Sequence, residues 1–459
     1  MMMKRVWRGG LAIAGALLLA ALVAVAQQED LAQRLDAFVE TQTKSAGFSG
    51  AVLVAKDGKV VLSKGYGLAN AEWDIPNTPQ TKFRLGSITK QFTAAAILLL
   101  QEQGKLSVQD AVCKYVDPCP AAWQPITVHN LLTHTSGIPN FTSFPDYLPT
   151  MTQPSPPEKT LERFRDKPLD FETGSRYSYS NSGYVLLGYI LEKVAGVSYD
   201  KFVTENVFRP LGMNDTGYDW STTIIKRRAS GYERPGGELQ NARYLDMTIP
   251  HAAGSLYSTV EDLYKWDRAL RDRKLLSAAS YQAMFKPFRN NYAYGWIVQE
   301  RDGRQIIGHG GGINGFATSI QRFPGDDACV VVLTNVPGPA SGQVRNALGR
   351  MLFGLPAEPP PPPAGERKEI TLDTKILDQY VGRYELAPGF TLTVTRQGNL
   401  LMVQATGQGS APVFAESETK FFYRIVDAQI TFNKDSQGRV TGLTLHQGGN
   451  DMPGRRLPD

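Results

Sequence analysis

Three short constellations carry residues able to do covalent chemistry on a carbonyl. The first is Arg84-Leu-Gly-Ser-Ile-Thr-Lys90, followed by the apolar run Gln91-Phe-Thr-Ala-Ala-Ala-Ile-Leu-Leu-Leu100, which ends near Gly104. A helix over that run puts Ser87 at its N-terminus, where free N–H groups and the helix dipole favour developing negative charge. Lys90 lies one turn on, so its amine shares a face with the Ser87 hydroxyl. Desolvation lowers a lysine pKa and lets the amine help take a serine proton. Taken alone, the same spacing fits a capping serine and a surface lysine.

The second is Tyr177-Ser-Tyr-Ser-Asn-Ser-Gly-Tyr184. Tyr179 and Asn181 are two apart and point the same way in an extended or turn segment. A phenol beside a lysine acts as a general base once its pKa falls, and Asn181 can orient both partners. A turn leading into a helix over Val185–Val194 is the plainer use of these residues. The third is Gly308-His-Gly-Gly-Gly-Ile-Asn-Gly-Phe316, in which Gly310 and Gly311 let backbone approach a ligand closely. No Gly-Lys-Ser/Thr follows, so it is no phosphate loop.

In this order the three pieces resemble the serine β-lactamase and penicillin-binding-protein superfamily, closest to class C β-lactamase-related esterases and D-amino-acid-specific peptidases. Val128-His-Asn-Leu-Leu-Thr-His-Thr-Ser-Gly-Ile-Pro139, Pro210-Leu-Gly-Met213, Ala252-Ala-Gly-Ser255 and Tyr294-Gly-Trp296 agree with it. The resemblance makes Ser87 the acylated nucleophile, Lys90 its activator, Tyr179 the base and Asn181 an orienting or substrate-binding group. His309 takes the place usually held by the lysine of Lys-Thr-Gly. The oxyanion hole falls to the backbone N–H groups of Ser87 and Gly312. Thr173 stands where a proline usually precedes Gly174, and His309 removes a permanent cation that would grip a β-lactam carboxylate. Esters, amides or D-amino-acid peptides are therefore the expected substrates. Antibiotic β-lactams, or a catalytically idle peptidoglycan-binding scaffold of the same fold, are the alternatives.

Other chemistry finds little support. No Gly-x-Ser-x-Gly elbow is present, and the five histidines form no His-x-x-x-His pair. Neither a metal nor an organic cofactor is implied. His134 reads as a hydrogen-bonded structural histidine.

The elements around these motifs imply an α+β fold. Leu31, Leu35, Phe38 and Val39 mark one face of an opening helix. Ala51–Val54 and Val60–Leu62 flank the hairpin signal Asp57-Gly58. A second hairpin, Ala317–Phe323 and Ala328–Leu333, comes late and is followed by a helix over about Gln343–Phe353. Strands at both ends with helices between predict one antiparallel sheet flanked by helices, with an inserted mainly helical region. Pro356-Ala-Glu-Pro-Pro-Pro-Pro-Pro363 favours an extended spacer. The residues beyond it alternate in short strand-like runs, predicting a small sandwich or barrel. That tail, opening at Tyr380-Val-Gly-Arg-Tyr384, resembles a lipocalin-like β-domain.

The chain thus divides into 1–26, 27–355, 356–365 and 366–459. Lys4, Arg5 and Arg8 precede an apolar run from Leu11 to Ala26 ending Ala24-Val-Ala26, the pattern of a cleavable signal peptide. A secreted or periplasmic protein follows, without stable membrane insertion after cleavage. Removing those three charges takes the 459-residue chain from +5 to +2, which offers no electrostatic argument for nucleic acid. Export permits disulfides. Cys113 and Cys119 enclose a short loop and are either bridged or two structural thiols, whereas Cys329 reads as a small core hydrophobe. Small substrates are the only partners implied, and oligomeric state is left open. Loops over Asn140–Pro157 and Tyr232–Pro250 set substrate choice.

Overall fold

The strand β1 (Gly50–Lys56) is buried at every residue but the last, so it must be covered on both faces and paired on both edges. It turns at Asp57-Gly58 into β2 (Lys59–Tyr66) and pairs on its other edge with β6 (Ala328–Thr334). Three further strands, β3 (Ile297–Arg301), β4 (Arg304–Ile313) and β5 (Phe316–Phe323), complete a six-stranded antiparallel sheet of order β3-β4-β5-β6-β1-β2. The two ends of this domain thus meet at its centre. This computed structural model describes residues 30–234, 237–357, 369–387, 390–405, 410–423, 428–447 and 450–458. The expected signal peptide and most of the proline spacer lie outside the described residues.

Alternation along the strands builds two cores. Val52, Val54, Val330 and Val332 face α1 (30–46) and α6 (Pro339–Met351), meeting Leu35, Val39, Val344 and Leu348. Ala51, Leu53, Val331 and Leu333 face the opposite way. There they join the larger core with α2 (Thr89–Glu102), α3 (Asn181–Ala195), the short turn α4 (His251–Gly254) and α5 (Val260–Arg271). Helix α6 begins four residues before the expected Gln343, because Pro339 at its first position is preset for a helix start. Cys113 and Cys119 are joined in a disulfide beside this core, while Cys329 is a free buried thiol.

The tail is a closed barrel of eight strands in sequence order, β7 (Gly382–Ala387), β8 (Phe390–Gln397), β9 (Leu400–Ala405), β10 (Ser410–Ala415), β11 (Lys420–Tyr423), β12 (Ala428–Lys434), β13 (Val440–Gln447) and β14 (Asn450–Arg456). Closure through β7 and β14 leaves no sheet edge. Tyr380 stacks on Phe432 at 4.2 Å, with Phe421 and Tyr384 against the same ring. An eight-stranded barrel has room for little more than its own side chains, and the buried residues of this one combine those four rings with aliphatic side chains such as Leu392, Val403, Ile430 and Leu443. Strands β10 and β14 carry Pro412 and Pro453, residues that argue against a strand in sequence.

Replacing Cys113 and Cys119 together by serine should lower stability by about 2 kcal/mol through freeing the loop they close. The denaturant midpoint measured without reductant checks this; an unchanged midpoint contradicts it.

Candidate active site

The approach to Ser87 is set by backbone. Phe83–Arg84 pairs with Leu256–Ser258, and the Leu85 N–H donates to the Leu256 carbonyl at 2.8 Å. Gly86 then takes φ +54° and opens a 3-10 turn that runs into α2. Side chains rarely adopt that conformation, and a Cβ there would meet the Gly312 backbone at 3.0 Å. Ser87 therefore sits within the entering turn, and the helix proper starts at Thr89, before the expected Gln91.

Lys90 lies in the first turn of α2 and is wholly buried. Its Nζ is 3.0 Å from Ser87 Oγ, 2.9 Å from Asn181 Oδ1 and 2.9 Å from the Ala253 carbonyl. Burial pushes its pKa well below that of an ordinary lysine, since an apolar surrounding penalises the charged form. Two of its three partners can only accept. A neutral amine gives its two N–H bonds to Asn181 and Ala253 and points its lone pair at the Ser87 hydroxyl. The third partner is the one free to give up a proton.

Tyr179 lies in the extended segment before α3 and donates its hydroxyl to Ser87 Oγ at 2.7 Å. Burial pushes its pKa up, with the Ser87 hydrogen bond opposing in part. A fall in that pKa, the condition for Tyr179 to act as base, is not what the site imposes on the free protein; desolvation of the phenolate outweighs the single favourable hydrogen bond. Asn181 is the first residue of α3, which starts four residues before the expected Val185. Its N–H donates to Asn140 Oδ1 at 3.0 Å and its side-chain amide to Thr142 Oγ1 at 3.2 Å.

The glycine-rich piece forms the outer half of β4. Strand β3 pairs only as far as Gly308, so residues 309–313 present a free strand edge. A Cβ on Gly311 would fall 1.9 Å from the Leu85 carbonyl and 2.3 Å from Thr318 Oγ1, so only glycine allows the strand this close to the Ser87 turn. Gly312 is exposed, with open space on its side-chain side. His309 is buried and its Nε2 is 3.1 Å from the Tyr292 hydroxyl. Burial lowers its pKa to about 4, so it is neutral at pH 7.

Ser87, Lys90, Tyr179 and Asn181 thus meet at one point, with Gly311 and Gly312 alongside through the Gly86 turn. The Ala253 carbonyl, Asn140, Thr142 and Tyr292 complete the arrangement. Ala253 acts through its backbone, which leaves no side-chain signature, although it stands in the Ala252-Ala-Gly-Ser255 stretch.

A hydroxyl between a buried amine and a phenol, at a helix entrance beside a free strand edge, defines a serine hydrolase of the β-lactamase fold. The chain belongs to the Beta-lactamase family, whose model matches residues 35–352; residues 366–456 match a domain of unknown function, DUF3471. Penicillin-binding protein 4* of Bacillus subtilis (strain 168) is 30% identical over 91% of this chain and 97% of that protein. The octameric penicillin-binding protein homologue from Pyrococcus abyssi is 29% identical, covering 92% of this chain and 99% of that one with a TM-score of 0.64. A D-stereospecific amidohydrolase from Streptomyces sp. is 26% identical over 67% of this chain and 94% of that one, with a TM-score of 0.56.

Gly311→Ala should force the β4 edge away from the Ser87 turn and lower kcat about 10²-fold, the penalty of roughly 1 Å misplacement. Steady-state kinetics on an activated ester check this; a kcat equal to wild type contradicts the close-approach argument.

Proposed function

We propose that this protein is an exported serine hydrolase that cleaves small esters and amides, including D-amino-acid amides and short D-peptides, through an acyl-Ser87 intermediate. The observation that carries the reading is the single point at which the Lys90 amine and the Tyr179 hydroxyl both reach Ser87 Oγ. Neutral Lys90 takes the Ser87 proton as Oγ attacks the carbonyl carbon. The Ser87 and Gly312 N–H groups hold the resulting oxyanion, where one lost donor typically costs about 3–4 kcal/mol. The proton on Lys90 is then delivered, by way of the Tyr179 hydroxyl, to the leaving nitrogen or oxygen as the carbonyl–leaving-group bond breaks and the acyl-Ser87 ester forms. Water attacks the acyl-enzyme and gives its proton to the same amine, which passes it to Ser87 Oγ as the acyl–oxygen bond breaks, releasing the acid and restoring Ser87 and neutral Lys90.

Substrate class rests on charge. His309 is neutral where a lysine is usual, so no fixed cation stands there to draw a substrate carboxylate. An uncharged ester or amide suits that environment better than an anionic β-lactam, and the Streptomyces relative is a D-stereospecific amidohydrolase. Export is supported by the basic and apolar N-terminal pattern and by the Cys113–Cys119 bridge.

The test is labelling by a fluorophosphonate and turnover of p-nitrophenyl acetate. Ser87→Ala should abolish labelling and lower kcat about 10⁶-fold, the loss seen when a serine nucleophile is removed. Equal turnover by wild type and variant sinks the hydrolase reading. D-phenylalanine amide should be cleaved in preference to nitrocefin, and the reverse order would reassign the substrate to β-lactams.

Rate should also depend on pH with a set sign. Lys90 acts as the neutral amine, and its pKa is depressed. kcat/KM should therefore fall tenfold per pH unit as pH drops through that value, and stay level above it until another group titrates. A profile flat down to the pH of unfolding contradicts the role of Lys90.

A further inference from the structure

His134 follows the short helix Val128–Leu132 and takes φ +57°, a left-handed conformation uncommon for a residue with a side chain. From that position it touches three consecutive residues of the segment bearing Tyr179. Its backbone carbonyl accepts the Ser178 N–H at 2.9 Å. Its Nδ1 accepts the Ser180 N–H at 3.1 Å. Its ring lies against the Tyr179 ring between them, with centroids 4.2 Å apart. The chain is thus gripped on both sides of Tyr179 and the ring is backed directly.

The bond to Ser180 requires Nδ1 to be unprotonated, which puts the ring hydrogen on Nε2. That Nε2 is buried and has no hydrogen-bond partner among the described residues. The side chain therefore commits its one hydrogen bond to Ser180. The rings of Tyr184 and Tyr292, 5.1 and 4.6 Å away, close around it. Burial pushes the imidazole pKa well down, so the acceptor is kept.

We propose that His134 is a positioning residue for the hydrolysis proposed above, holding the Tyr179 hydroxyl on Ser87 Oγ by gripping Ser178 and Ser180 and backing the Tyr179 ring. It makes no hydrogen bond to Ser87, and its effect passes wholly through Tyr179. A histidine that merely stabilised the loop would lower activity whether or not Tyr179 carried a hydroxyl.

A double-mutant cycle on p-nitrophenyl acetate separates the two. His134→Leu should lower kcat about 10²-fold with little change in KM, as expected for a misplaced reacting group. In a Tyr179→Phe background the same substitution should cost less than about threefold, because the hydroxyl it positions is already gone. His134→Asn offers another acceptor to Ser180 and tolerates the left-handed backbone, so it should retain more activity than His134→Leu. It also carries the cycle if His134→Leu does not fold, as judged by circular dichroism. Equal losses in both backgrounds, or wild-type kcat in both His134 variants, would overturn the proposal. Turnover retained by Ser87→Ala in the same assay would instead overturn the hydrolase reading, so the two failures are told apart.

Discussion

A lysine amine enclosed without a carboxylate is the constraint on which the site depends. An ammonium buried this way costs several kcal/mol even after local relaxation, and no acidic group lies among the three partners of Lys90. Burial favours the neutral amine, and it is as a neutral amine that Lys90 is proposed to act as base beside the Ser87 hydroxyl. That outcome needs two acceptors placed to take its N–H bonds, so that the lone pair is left facing Ser87.

The rest of the domain supplies those acceptors from distant parts of the chain. Helix α2 grips α4 through consecutive carbonyls, Thr93 on Ala252 and Lys90 on Ala253. Helix α3 delivers Asn181 at its first turn, held in turn by Asn140 and Thr142. The sheet contributes a strand whose outer half has a free edge, and Gly311 lets it close on the turn before Ser87. Chain ends that pair in the centre of the sheet anchor that strand against both cores.

Much of this is legible in sequence, for reasons that differ by residue. Ser87 and Lys90 can be read because a helical turn, whether 3-10 or α, brings residues three apart to one side; the β1–β2 hairpin can be read because Asp57-Gly58 has few other uses. The tail reads as a small β sandwich or barrel, and the structure closes it as a barrel, although Pro412 and Pro453 disguise two of its strands. The Ala253 carbonyl escapes because backbone groups carry no residue identity. The direction of the Tyr179 pKa escapes because it depends on how much water reaches the hydroxyl, a property of the packed domain. His134 reads in sequence as a hydrogen-bonded structural histidine, but its partners do not; the φ value and the two flanking N–H groups exist only once residues 134 and 178–180 are brought together.

The state of the Lys90 amine can be measured directly in protein labelled with nitrogen-15 at lysine Nζ, the Lys90 resonance being assigned by its loss in Lys90→Met. A Lys90 signal that titrates well below the exposed lysines, and is that of a neutral amine at working pH, is the predicted result. A Lys90 that titrates together with or above the exposed lysines would contradict the account.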